Sequence, residues 1–444
     1  MNIRNLALPS LVLTLSSLVV NAQLNTLAGK FDRSYGENGF AHIGQSIGQP
    51  MDSCCFHQLS DGRLVVVLSI FESQESSIWI ARSQPNGALD TTFDDDGYVR
   101  LPNSDRFYAY TSELQPDGKI VIAGQVFRDQ RRFDMFVTRV NPNGSLDTTF
   151  GNNGYFELDL SVGKQWSTEI IHSLRLLSDG KIIIGGISSL PSLVAPASQT
   201  NSIVARLNSD GTLDNSFGTN GVRSVFYGNS NFLSNVRISV QTDGKLLYGI
   251  SNLVQLSSSP SDLAYSTRVM RFLPNGDLDS SFAKNGVAEI STENSFSFEK
   301  LVQLDDGKIL CLSGLYRLTR LNSNGSFDDS FGNGGKLNVI DFSACDLSIL
   351  PTGKILVSGY ATAYEPPFGN KRVGVVTRFF PDGSRDIRFG HNSMTQIALS
   401  EHELAYGPIA FRNDGSFLVL GWKRNLNDSP QQGKPVLSRF FFGK

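Results

Sequence analysis

A short pattern, LDxxFGxxG or a close variant, recurs seven times in this chain, about once every 60 residues. The copies begin at Phe31-Asp32, Leu89-Asp90, Leu146-Asp147, Leu213-Asp214, Leu278-Asp279, Phe327-Asp328 and Arg385-Asp386. Two further markers keep step with it. A DG turn recurs at Asp61, Asp117, Asp179, Asp243, Asp306 and Asp414, with Thr352 in the sixth place. An apolar run ending in Arg recurs at Arg82, Arg139, Arg206, Arg271, Arg320, Arg378 and Arg439. A chain of 444 residues otherwise suggests two or three domains. Here the repeats leave no stretch long enough for a second one.

Each repeat reads as four short strands. In the second, Tyr108 to Gln115 leads into the turn at Pro116-Asp117-Gly118, and Lys119 to Val126 follows as an Ile- and Val-rich strand. Asp134 to Val140 is the third strand and Tyr155 to Leu160 the fourth. A lone sheet of this size cannot bury both faces, whereas seven packed face to face around an axis can. The expected fold is therefore all-β: a seven-bladed β-propeller with four-stranded antiparallel blades. The chain enters at the Phe31 marker and stops just after Arg439, so the last blade lacks its fourth strand. Gly39 to Gln45 is expected to supply it as the outermost strand and close the ring. The strand before each DG turn is expected to be innermost.

The recurring residues have structural jobs. The Asp of the long motif accepts backbone N–H groups of the tight turn that follows. The motif aromatic (Tyr35, then Phe93, Phe150, Phe217, Phe282, Phe331 and Phe389) fills the gap between blades. The recurring Arg is expected to pair with a nearby recurring Asp, because a bidentate carboxylate partner suits a buried, repeated position.

The stretches RVNPNGSLDTTFGNNGY (Arg139 to Tyr155) and RLNSDGTLDNSFGTNGV (Arg206 to Val222), each with its DGKI partner, resemble the delta-60 repeats of bacterial extracytoplasmic proteins. The resemblance covers nearly all of the chain after the leader. It implies a β-propeller and brings no catalytic residues with it. Departures are local: Thr352, Asp94 in place of a Gly, and SRDIRFGHNS as the last marker.

Residues 1–22 read as a signal peptide, with Arg4 as the basic end, Leu6 to Val20 as the apolar run and Val20-Asn21-Ala22 as the cleavage site. Residues 23–444 then form the single propeller domain, secreted or periplasmic and without a membrane span. The formal charge, 39 − 42 = −3, offers no electrostatic footprint for nucleic acid. The five His and four Cys form no metal-ligand spacing, and no metal or cofactor is expected. Asp94-Asp95-Asp96 do not follow the alternate-residue spacing of a calcium loop. No nucleophile triad, P-loop or dinucleotide fingerprint stands out. Cys54-Cys55, Cys311 and Cys345 are read as thiols, with a Cys311–Cys345 link left open.

Length varies chiefly in the link between second and third strands: Ser188–Asn201, Asn252–Ser266, Ala361–Lys371 and Lys423–Pro435 are long, and Ser313-Gly314 is short. Repeat proteins carry insertions on their binding face. The expected role is thus a binding or interaction module, monomeric, for a protein or a cell-surface glycan. Candidate contact residues are Arg128, Arg131, Arg132, Lys164, Trp166, Tyr364, Phe368, Trp422 and Lys423, since aromatic and Arg side chains anchor interfaces. The alternative is a glycosidase-like hydrolase at the channel mouth. For it, Glu299 and His172 share one repeat slot near the start of inner strands.

Overall fold

The computed structural model describes residues 29–43, 49–72, 75–102, 106–128, 132–160, 168–190, 199–226, 235–255, 263–291, 297–314, 316–339, 341–366, 369–399, 402–427 and 433–442. They are all-β, with no helix among them. β1 (Phe40–His42) precedes a sheet of β2 (Gln49–Gln58), β3 (Leu64–Glu72), β4 (Glu75–Ser83) and β5 (Tyr98–Arg100). Next come β6 (Arg106–Leu114), β7 (Ile120–Phe127), β8 (Phe133–Val140) and β9 (Tyr155–Leu158), then β10 (Thr168–Leu176), β11 (Ile182–Leu190), β12 (Gln199–Leu207) and β13 (Val222–Phe226). These two antiparallel sets of four touch through one parallel pair, Thr168 beside Phe133, and so count as one eight-stranded sheet.

Two more four-stranded sheets follow: β14 (Arg237–Val240), β15 (Leu246–Gln255), β16 (Leu263–Phe272) and β17 (Val287–Ser291), then β18 (Phe298–Gln303), β19 (Ile309–Ser313), β20 (Arg317–Leu321) and β21 (Lys336–Asn338). The next comprises β22 (Ser343–Ile349), β23 (Ile355–Glu365), β24 (Gly369–Phe379) and β25 (Met394–Ile397). The last is β26 (His402–Phe411), β27 (Ser416–Asn425) and β28 (Lys434–Phe441), and its outer place is taken by β1, with Phe40 opposite Ser438 and His42 opposite Val436.

First strands lie against one another in succession, β2 by β6, β6 by β10, β10 by β14, β14 by β18, β18 by β22 and β22 by β26, while β26 also lies by β2. Apolar cores sit between consecutive sheets. Val121 and Ala123 meet Ile182 and Ile184, and Leu418, Leu420 and Leu437 meet Leu64, Val66 and Leu68. The second strands are buried on both faces, as Ile120–Phe127 shows, so they need the continuous Ile/Val runs that the sequence carries.

The recurring marker residues build one module, seen well around Arg139. Its Nε donates to Asp147 Oδ2 at 2.7 Å, and Lys119 Nζ donates to the same oxygen at 2.9 Å. Asp147 Oδ1 accepts the N–H of Thr149 at 3.1 Å and its hydroxyl at 2.6 Å, which pins the turn. The guanidinium carbon lies 4.8 Å from the centroid of the Phe150 ring, and Nη1 donates to Ser209 O, 2.5 Å away on the following set of strands. The same Arg–Asp bond joins Arg82 to Asp90, Arg206 to Asp214, Arg271 to Asp279, Arg320 to Asp328 and Arg378 to Asp386. In the seventh copy it joins Arg439 to Asp32, 2.6 Å apart across 407 positions of sequence.

Phe150 is fully buried because it slides beneath Gly211, a turn glycine at φ +89°. A Cβ there would stand 2.8 Å from the ring. Gly211→Ala is expected to cost about 2 kcal/mol, from the left-handed backbone and the clash together. Urea unfolding checks this, and an unshifted midpoint would remove the packing argument. Asp94 breaks the series locally. In five copies the residue after the motif aromatic donates its N–H to the neighbouring loop (Gly36 to Asn86, Gly151 to Asp210, Gly218 to Asn275, Ala283 to Asn324, Gly332 to Asp382). Asp94, and Gly390 in the last copy, make no such bond among the described residues. A cavity of about 500 Å³ lies at that seam, lined by Arg63, Arg82, Phe93 and Pro142 among others.

One expectation needs correcting. Two of the long links read as loops are in good part strand. β23 and β24 pair without a break out to Glu365 opposite Gly369, and β15 and β16 pair out to Gln255 opposite Leu263. The second and third strands simply run on past the ends of their neighbours. Polar alternation in YATAYE satisfies a strand exposed on both faces, and the sequence shows no turn signal until Pro366.

Candidate functional site

Pairing of first to second strand breaks step at one recurrent slot. Register shifts fall between Ser53 and Cys55, Ala109 and Thr111, Ile171 and Ser173, Phe298 and Lys300, Ala344 and Asp346, and Tyr406 and Ile409. The bulged residues are Cys54, Tyr110, His172, Glu299 and Cys345, with Gly407-Pro408 in the last sheet. A bulge takes its residue out of the ladder and re-aims the side chain. The β14 ladder starts just past this slot, at Arg237. Thus one backbone feature repeats while the side chain it presents changes from phenol to imidazole to carboxyl to thiol.

Arg237 ties neighbouring bulges together. Its Nε donates to Glu299 O at 2.7 Å, and its Nη1 donates to His172 O at 3.4 Å and to Val236 O at 3.1 Å. The ring of His172 stands 6.3 Å from that of Tyr110, and its Nδ1 is buried without a hydrogen-bond partner. Burial, with the Arg237 charge second, pulls His172 down to about 3, so the imidazole is neutral. Burial lifts Glu299 above the usual carboxylate range, against its hydrogen bond from Ser297 and the charge of Arg237, and the charge of Asp346 adds to the lift. Burial also lowers Arg237, yet a guanidinium stays charged at any ordinary pH.

The other charged groups here are matched. Lys300 Nζ lies 2.8 Å from Asp346 Oδ1, while Asp346 Oδ2 accepts the N–H of Ile409 at 3.1 Å. Arg175 Nη1 lies 2.7 Å from Glu113 Oε1. His57 Nε2 and Ser112 Oγ are 2.7 Å apart, and burial pulls that ring down to about 4. Cys345 is pushed up to about 12 by burial, with Glu299 and Asp346 adding to it, so it rests as a thiol. Cys55, Cys311 and Cys345 form no disulfide.

The residues chosen from sequence fall elsewhere, on the side of the strand 2–3 links. Arg128 pairs with Glu157 and lies 3.7 Å from Asp134; Arg132 lies 3.3 Å from Asp134 and 3.4 Å from Asp159. Tyr364, at the end of the extended β23, is 73% exposed. Trp422 and Lys423 are half-buried on β27, Lys423 Nζ lying 5.0 Å from the centroid of Phe40 and the Arg424 guanidinium 5.8 Å from that of Trp422. Arg131, Lys164, Trp166 and Phe368 lie outside the described residues. Of the sequence candidates, the structure brings together Arg128 with Arg132, around Asp134, whereas Trp422 and Lys423, consecutive on β27, contact different partners.

Sequence reasoning missed Asp134, Asp159 and Glu169. Their ligand atoms lie within 4.8 Å of one another, which is the one grouping among the described residues able to hold a metal ion. Arg128 and Arg132 stand beside the first two, and both Glu169 oxygens accept the N–H of Leu160 at 3.0 Å. The three come from separate strands and linkers, so no local spacing signals them. No helix of the described residues is long and apolar enough to cross a membrane.

Four stretches, 115–150, 177–217, 264–282 and 350–389, match a domain of unknown function (DUF5122) described as a beta-propeller. No curated protein matches the sequence. Among solved structures, the chain is similar to the polysaccharide lyase Uly1, at 9% identity over 94% of this chain and 98% of that one, with a TM-score of 0.46. It is similar also to Sqt1 of Chaetomium thermophilum, at 12% identity over 90% and 98% of the two chains (TM-score 0.42), and to the Bombyx mori GH32 beta-fructofuranosidase BmSUC1, at 9% over 93% and 94% (TM-score 0.35). Strand order, sheet packing and the four matched stretches together make this chain an all-β propeller, similar in those stretches to a propeller repeat family.

Proposed function

We propose that the chain is exported through its leader and that residues 23–444 form a closed seven-bladed propeller acting as a binding or interaction module for a protein or cell-surface glycan. The eight-stranded sheet is then two blades joined at a single residue pair, and β1 is the outer strand of the seventh. Support for closure comes from the Arg439–Asp32 bond and from the contact of β26 with β2. The localisation rests on the basic, apolar and small-residue order of residues 1–22.

The observation that carries the binding reading is the bulge slot. Scaffold positions repeat their chemistry in every sheet, whereas this slot holds Tyr110, His172, Glu299 and Cys345 where the first strands converge. A position held constant in backbone and varied in side chain suits recognition better than packing. In this reading the extended strand pairs β15–β16 and β27–β28 flank the same side of the molecule. Shortening both is expected to weaken capture of a ligand found by glycan array or pull-down at least about 10-fold, with little change in melting temperature. Undiminished capture would move the site off that side.

One observation favours the hydrolase reading: Glu299 is biased toward its protonated form, as a general acid requires, with Asp346 adding to that bias. It requires glycan turnover by the mature protein, lost in Glu299→Gln. Binding without release of reducing ends decides for the module.

A further inference from the structure

We infer that Arg237 anchors an oxyanion subsite where the first strands converge, and that its ligand group is the carboxylate of an acidic saccharide. The inference rests on the binding reading above and gives it a ligand class. Arg237 reaches the bulge carbonyls of the strands on both sides of it, β10 and β18. These are groups that a bulge leaves outside the ladder, and satisfying them fixes the plane of the guanidinium. That structural task occupies Nε and Nη1. Nη2 has no partner among the described residues, and no carboxylate lies within 4 Å of the group, although Lys300 and Arg175 nearby each have one.

The Glu299 carboxyl takes a hydrogen bond from Ser297 and makes no direct pair with Arg237, although its charge and that of Asp346 reach the guanidinium from a distance. A half-buried cation with no carboxylate at contact distance leaves room for an anion to pair with it directly. The neutral His172 ring, with Nδ1 unpartnered, adds a second polar atom on the β10 side of Arg237. Fixed guanidinium donors and an uncharged imidazole fit a planar carboxylate held partly by charge and partly by hydrogen bonding.

The test is calorimetric titration of the mature protein with tetragalacturonate, its fully methyl-esterified form and a sulfated tetrasaccharide. The expected result is saturable binding of the acid form, at least about 10-fold tighter than the ester, because only the acid form carries the charge. Arg237→Lys is expected to keep the positive charge and lose the fork, weakening the acid form about 10-fold and leaving the ester unchanged. His172→Gln is the second variant, since Arg237 holds the backbone of that residue and not its ring. It is expected to weaken the acid form several-fold with the fold intact by circular dichroism. Preference for the sulfated probe, or for an uncharged glycan indifferent to Arg237→Lys, overturns the carboxylate assignment while the binding reading stands. Absence of any ligand on a broad glycan array and in pull-downs removes that reading, and this inference with it.

Discussion

Deleting Leu24 to Gln45 is expected to lower the melting temperature of the whole molecule by about 10 °C, measured by calorimetry as one transition. The segment is not a tail. Gly29 donates to Phe441 O at 2.7 Å, Phe31 bridges Phe440, and Asp32 takes the Arg439 guanidinium. Tyr35, Phe40 and Ile43 are all but fully buried, and each is worth roughly 1.5–3 kcal/mol. Their loss leaves Arg439 without its carboxylate and the edge of β28 bare. Appending residues 29–43 after Phe442 through a short linker is expected to restore most of the lost stability. A truncated protein that melts at the parental temperature would contradict both the closure and the seventh-blade reading.

Asp147→Ala is expected to cost about 3–5 kcal/mol, because it leaves Arg139 and Lys119 facing each other without a counterion. Denaturant midpoints measure this, and a cost under about 1 kcal/mol would make the module ornamental. The same geometry fixes the response to acid. Burial alone would raise Asp147, but the hydrogen bonds from Thr149, Lys119 and Arg139 outweigh it and hold the carboxyl far below 3.8. Asp32, Asp90, Asp214, Asp279, Asp328 and Asp386 are lowered in the same way, burial opposing and hydrogen bonds or charge prevailing. A carboxylate lowered in the folded state contributes stability that is complete above its unfolded value and is lost as pH falls toward the folded one. Stability is therefore expected to hold down to about pH 4 and to fall steeply below it. Midpoints that stay level between pH 5 and pH 2.5 would sink the claim.

Much of the scaffold was legible because repetition multiplies weak signals. A lone Arg eight residues before an Asp says little, but its recurrence beside the aromatic and turn markers gave the ion pair, the turn cap and the packed ring in advance. The split of one repeat between the termini was visible from where the markers began and stopped. The site was less legible, for physical reasons. A bulge is an event of pairing between strands and leaves no mark in the alternation of either. His172 and Glu299 were seen to share a slot, whereas Tyr110 and Arg237 were not linked to them. Arg237 touches Glu299 and His172 across 62 and 65 positions of sequence. Arg128 and Arg132 looked available as surface cations because Asp134, Asp159 and Glu157 are brought beside them only by β8, β9 and the chain that follows.

The bond from Asp32 to Arg439 has a bearing on the order of biosynthesis. β1 pairs with β28, which is synthesised long after it, so β1 must wait for that strand before it finds its register. Until β28 is made, Phe40 lacks the Val436 and Phe440 side chains that help to bury it. Such dependence on a contact at the greatest separation slows the final docking step and lengthens the life of an open, sticky intermediate. A nascent chain of this design keeps that edge unfinished until β28 emerges.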